Sequence, residues 1–169
     1  SDCPLCALRD CTSNGAVCAD PSAISDTGWK SMSVSRSSSG LFIPPDGATT
    51  CTYLDGYFIV EENGTQNFWI SEVDNGTAWD GADFDNADQN PDDIVRVFAD
   101  HGELLVFGDA STEFWANSGA TDFPLSRLTS IETGLAAKWS VAKFETSVMF
   151  LAKNRLGNVQ VVLLNGYTP

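Results

Sequence analysis

The chain has 169 residues, 43% of them hydrophobic and 11% aromatic, enough for one domain with its own core. Its formal net charge of −14 leaves only 9 Lys and Arg, which argues against a grip on nucleic-acid phosphates. The charge suits either a solvated acidic surface or one that repels DNA and attracts a basic partner. No apolar run reaches the ~20 residues that cross a bilayer, and no signal-peptide or lipidation pattern is present.

Residues 1–28 read as an irregular arm in which Cys, Ser, Asp, Asn-Gly and Pro are scattered. Four cysteines fall there, as Cys3-x-x-Cys6, Cys11 and Cys18, while Cys51 stands apart in the sequence. Cys3 and Cys6 could offer two thiolates to a tetrahedral zinc, with Cys11 and Cys18 completing the set. The second pair is spaced more loosely than in zinc ribbons and no His is near. Free or disulfide-paired cysteines are therefore the preferred reading, and no metal or cofactor is expected. The odd total leaves at least one thiol outside any disulfide, which favours synthesis in a reducing compartment.

The stretch 29–43 shows broken alternation at Met32 and Val34 and then Leu41-Phe42-Ile43, consistent with a hairpin that closes an earlier, incomplete blade. Pro44-Pro45-Asp46-Gly47 is a turn by composition. From Thr49 onward one unit recurs: an apolar run, a turn, a second run, a hairpin turn and an aromatic-rich run. It appears as Thr49–Leu54, Tyr57–Val60 and Asn67–Ile70, then as Ile94–Ala99, Glu103–Phe107 and Thr112–Trp115. The third appearance is Ser140–Phe144, Ser147–Leu151 and Val159–Leu164. The spacing of roughly 45 residues is that of a four-stranded propeller blade, and such a unit needs stacked neighbours to bury its apolar face.

The fold class expected is therefore all-β. It is a β-propeller-like array of short antiparallel blades over 29–169, about three repeats with the last truncated, behind the arm at 1–28. Three blades fall below the ~4 of a closed ring, so the array is expected to be a portion of a larger propeller protein. Asn63-Gly64 and Asn75-Gly76 suit tight hairpin turns, a reading preferred over their match to the glycosylation pattern. Helix is scarce, limited to a first turn at Pro91–Ile94 and a last one at Ile131–Gly134.

The densest polar feature holds Asp80, Asp83, Asp85 and Asp88, followed by Asp92 and Asp93. Such carboxylates attract hard cations, yet the Gly and Glu positions of a calcium loop are missing. A solvated acidic loop, anchored by Phe84, is the better reading. His101 is the only histidine, which excludes an HExxH centre, and no Gly-x-Ser-x-Gly elbow or phosphate loop occurs. Paired aspartates could in principle cleave glycosides, and Trp69, Trp79, Phe114, Trp115 and Trp139 could stack on sugars. Core packing is favoured for most of these rings, because Phe68-Trp69 and Phe114-Trp115 place one ring on each face of a strand.

Several runs together resemble the packaged-DNA stabilisation proteins, or tail-hub and nozzle proteins, of short-tailed bacteriophages. They are Tyr53–Val60, Phe68–Ser71, Pro91–Val95, Ala99–Leu104, Ser111–Trp115, Phe123–Arg127, Trp139–Ala142 and Asn165–Pro169. The likeness is collinear from Leu41 to Pro169. It implies a non-enzymatic subunit of the virion tail, assembled in the host cytoplasm. Copies of it would form a ring below the portal and its adaptor that extends and seals the DNA channel and docks the tail needle and spikes or fibres. It carries no catalytic residues over. Asp80, Asp83, Asp85 and Asp88 are the candidate channel or partner surface, with no sequence-specific DNA binding and no membrane anchor expected. The alternatives are a carbohydrate-binding or glycoside-cleaving propeller and a cellular interaction scaffold.

Overall fold

The computed structural model describes residues 48–169. The arm at 1–28, its cysteines and the hairpin expected over 29–43 lie outside the described residues. Three antiparallel sheets follow one another along the chain. The first joins β1 (Cys51–Leu54), β2 (Tyr57–Glu61), β3 (Asn67–Glu72) and β4 (Asn75–Asn86) in chain order. The second joins β5 (Ile94–Asp100), β6 (Glu103–Gly108), β7 (Thr112–Asn117) and β8 (Leu125–Ile131) in the same way. The third contains β9 (Gly134–Leu135), β10 (Ala142–Phe144), β11 (Ser147–Lys153) and β12 (Val159–Leu164). Here β9 and β10 pair with different parts of the same edge of β11, and β12 pairs with the other edge. The third sheet is therefore three strands deep, and β12 has no outer neighbour among the described residues.

Strand alternation builds the cores between these sheets. In the second sheet Leu104, Val106 and Trp115 face the first sheet, where they meet Ile59, Phe68 and Ile70. Leu105, Phe107 and Phe114 face the third sheet and meet Val148, Phe150 and Val162. Edge-to-face ring pairs lock both cores, Phe68 with Trp115 at 5.1 Å and Phe107 with Phe150 at 5.0 Å between centroids. The middle sheet is thus buried on both faces, which is why Leu104–Phe107 reads as an unbroken apolar run. The sheets stand side by side as the blades of a propeller without closing a ring. Gly134 shows how close the second and third come: a Cβ there would sit 2.3 Å from the Asp109 carbonyl oxygen.

Turns follow backbone tolerance, though not always at the residues expected. Asp55-Gly56 and His101-Gly102 make two-residue hairpins with φ of 49° and 94°, and of 48° and 79°, the pattern of tight turns between twisted strands. Asn63-Gly64 lies in a longer connection between β2 and β3, where only Gly64 takes a positive φ. Asn75-Gly76 is not a turn. Glu72 pairs with Asn75, so Val73-Asp74 reverses the chain, with Asp74 at φ 55°. No helix forms among the described residues: Pro91–Asp93 belongs to the crossover between blades, and Ile131 and Gly134 belong to β8 and β9.

Candidate interface surfaces

The inner edges of the blades are joined by side chains standing in for missing strand partners. Thr50 Oγ1 accepts the Val97 N–H at 3.2 Å, and Thr52 Oγ1 accepts the Ala99 N–H at 2.9 Å. Both threonines belong to the first blade and both amides to β5, so one blade caps the open edge of the next. Behind them Glu61 is fully buried. Its carboxylate accepts the backbone N–H groups of Thr49 and Thr50 at 2.9 and 2.8 Å and both of their hydroxyls at 2.5 Å. Lys138, from the connection between β9 and β10, lies 3.8 Å from the same carboxylate, tying the third blade to the first. Arg96 of the second blade donates to the Lys138 carbonyl at 2.9 Å and lies over the Trp139 ring at 5.3 Å.

The crossover from β4 to β5 is fastened to both blades. Ala87 and Ile94 N–H donate to the carbonyls of Gln66 and Thr65 in the first blade, each at 2.8 Å. Gln89 N–H donates to the buried Glu113 of β7 at 2.8 Å. Asp92 accepts from Ala110 N–H, Ser111 N–H and the Ser111 hydroxyl at 2.7–2.9 Å. A carboxylate so engaged explains why Pro91-Asp92-Asp93 forms a strap and not a helical turn.

The acidic run is divided between two environments. Asp80, Asp83 and Asp85 lie on β4, the outermost strand of the first blade, and not in a separate loop. The segment 80–83 bulges out, because Trp69 pairs with Phe84 and Ser71 with Trp79 while only Ile70 lies between them on β3. Phe84 stacks on Trp69 at 4.7 Å and anchors the bulge. Burial, and then the charges of Asp80 and Glu72, raise the Asp83 pKa above the ordinary 3.8. Asp88 is apart from this group. It accepts from Arg127 at 2.9 Å, and the same guanidinium reaches Glu113 at 3.2 Å.

The remaining candidates are structural in their surroundings. Trp69, Trp79, Phe114 and Trp115 are buried, and of the five rings weighed for sugar stacking Trp139 is the exposed one. His101 occupies a turn with its Nδ1 2.6 Å from an Asp100 carboxylate oxygen, which accepts from the tautomer that carries its proton on Nδ1, and Lys143 lies 3.1 Å from the other Asp100 oxygen. Among the described residues no three His, Cys, Asp or Glu side chains gather as metal ligands would. The sequence reading missed Thr50, Thr52, Glu61 and Glu113, whose roles depend on burial that residue type alone does not reveal.

The family described as "Bacteriophage P22 Gp10, beta-propeller" matches residues 46–169, which include every described strand. The chain belongs to this family. It is accordingly a bacteriophage packaged-DNA stabilisation protein, a structural component of the virion tail, and its three sheets are blades of a propeller. No curated protein matches the chain.

Proposed function

We propose that the chain forms part of a ring of identical subunits below the portal and its adaptor. The ring continues the DNA channel, seals it while the genome is packaged, and offers docking surfaces to the needle and to spikes or fibres. Subunits assemble in the host cytoplasm before they join the virion. Membership of the family over 46–169 carries this reading. The acidic balance supports it, since a chain with a formal net charge of −14 repels phosphates and lets DNA slide without being held. On this reading Asp80, Asp83 and Asp85 face the channel or a partner, while Asp88 serves the Arg127 contact between blades.

Replacing Asp80, Asp83 and Asp85 together by Lys tests the conduit role. The bulge carries little packing apart from Phe84 and Trp79, so the blade is expected to remain folded. The variant should gain a salt-sensitive affinity for duplex DNA and slow genome ejection from assembled particles. Unchanged ejection from normally assembled particles would remove these residues from the channel wall.

A further inference from the structure

Asparagine is among the thermally labile residues, most of all before glycine, where no side chain hinders the next backbone nitrogen from reaching the carboxamide. The sequence holds four Asn-Gly pairs. Asn14-Gly15 lies outside the described residues, and the other three stand in different surroundings. Asn63 and Gly64 lie in the connection between β2 and β3, and both are exposed. Thr65 N–H donates to the Glu62 carbonyl at 3.1 Å, and in this connection only Gly64 takes a positive φ, 76°. That is the pattern of a type II turn with Asn63-Gly64 at its centre. Neither the central peptide nor the Asn63 carboxamide has a hydrogen-bond partner among the described residues. The peptide can therefore rotate while the bond from Thr65 to Glu62 holds, since glycine tolerates either sign of φ.

The other two pairs are held. At Asn75-Gly76 the carboxamide oxygen accepts the Thr77 N–H at 3.2 Å and the Thr77 hydroxyl at 2.8 Å. Gly76 lies against Phe58, whose ring a Cβ would meet at 2.9 Å, and its carbonyl accepts the Trp79 Nε1–H at 2.9 Å. Both residues belong to β4, where Asn75 pairs with Glu72. At Asn165-Gly166 the Asn165 N–H and carbonyl both bond to Thr168, at 2.9 and 3.2 Å. That peptide cannot turn without breaking a bond.

We propose that Asn63 is a site of spontaneous modification, at which the chain deamidates through a succinimide to aspartate and isoaspartate. The Gly64 nitrogen gives its proton to water and attacks Asn63 Cγ. A bond forms between them, the Cγ–Nδ2 bond breaks, and Nδ2 takes a proton from water and leaves as ammonia. One water molecule then opens the ring. Its addition at Cγ restores the ordinary backbone with an aspartate, and its addition at the Asn63 carbonyl carbon routes the chain through Cγ as isoaspartate. Either product sets a new carboxylate in a cleft already lined by Asp92, Asp93 and Asp109, with Lys138 as the cation among them. Isoaspartate also adds a backbone carbon just ahead of Thr65 and Gln66, whose carbonyls hold Ile94 and Ala87 at 2.8 Å. The change thus reaches the crossover between the first two blades. In a tail component that a released particle does not replace, it accumulates with age.

Ageing the purified chain in mildly alkaline buffer, then digesting it for mass spectrometry with chromatographic separation of isomers, provides the test. The Asn63 peptide should gain the mass of an amide-to-acid conversion and split into two isomers, several-fold faster than the Asn75 and Asn165 peptides. In urea the three sites should convert at similar rates, because each precedes glycine and the restraints of the fold are gone. Hydrogen exchange at Ile94 should quicken in the aged chain and stay unchanged in aged Asn63→Gln. An Asn63 that stays intact in the folded chain, or converts no faster than Asn75 and Asn165, would overturn the proposal. Unchanged exchange at Ile94 after full conversion would overturn its reach to the crossover.

Discussion

Asp83 is the residue at which charge and fold oppose each other. Half-buried on the bulge of β4, its carboxyl titrates above the ordinary 3.8, through burial first and then through Asp80 and Glu72. With the folded pKa above the unfolded one, its relative contribution is complete below the unfolded pKa and is lost as pH rises through the folded value. At neutral pH an ionised Asp83 therefore works against the fold. Asp83→Asn should melt at a higher temperature than the parent at pH 7, and the difference should vanish as pH falls below about 4, where both states of the parent carry the proton. An equal shift at both pH values would assign the effect to packing instead. This residue also shows what the sequence could and could not convey. Its acidity and its neighbours were plain, but its half-burial follows from a bulge that sets four β4 residues against Ile70 alone on β3. Glu61 and Glu113 were hidden for the same reason. Among 23 acidic residues, nothing in residue type separates a carboxylate that collects buried N–H donors from one in water.

At the scale of elements, the contact between β1 and β5 holds adjacent blades in place without a shared hydrogen-bond ladder. Thr52→Val keeps the shape of the side chain and removes the acceptor for the Ala99 N–H, leaving a half-buried donor without its partner. The expected cost is about 1–3 kcal/mol. Hydrogen exchange should quicken at Ala99 more than at Leu104, which lies in the interior of β6. Undiminished protection of Ala99 would show that the threonine contact is incidental. The inner three strands of each blade were legible as short apolar runs bounded by turns, as in Glu103–Phe107. β4 and β8 were not, since the outermost strand of a blade faces solvent and its apolar alternation fades. In Leu125–Ile131 only Leu125 is buried. The hairpin at Val73-Asp74 was passed over for Asn75-Gly76 because an Asn-Gly pair is the stronger local signal, yet the pairing of Glu72 with Asn75 moved the reversal two residues upstream.

For the whole molecule, the recurring unit and the collinear likeness led to the same architecture that the three sheets display. Periodicity survives in sequence because every blade must bury two faces, and Phe68-Trp69 and Phe114-Trp115 record that demand as adjacent rings. The central claim is that this chain is a blade-bearing subunit of a phage tail ring. Cryo-electron microscopy of particles that carry the chain tests it most directly. The account predicts density for three adjacent four- and three-stranded blades, repeated around the tail axis immediately below the portal and its adaptor. A tail map without these blades at that level, from particles shown to contain the chain, would contradict it.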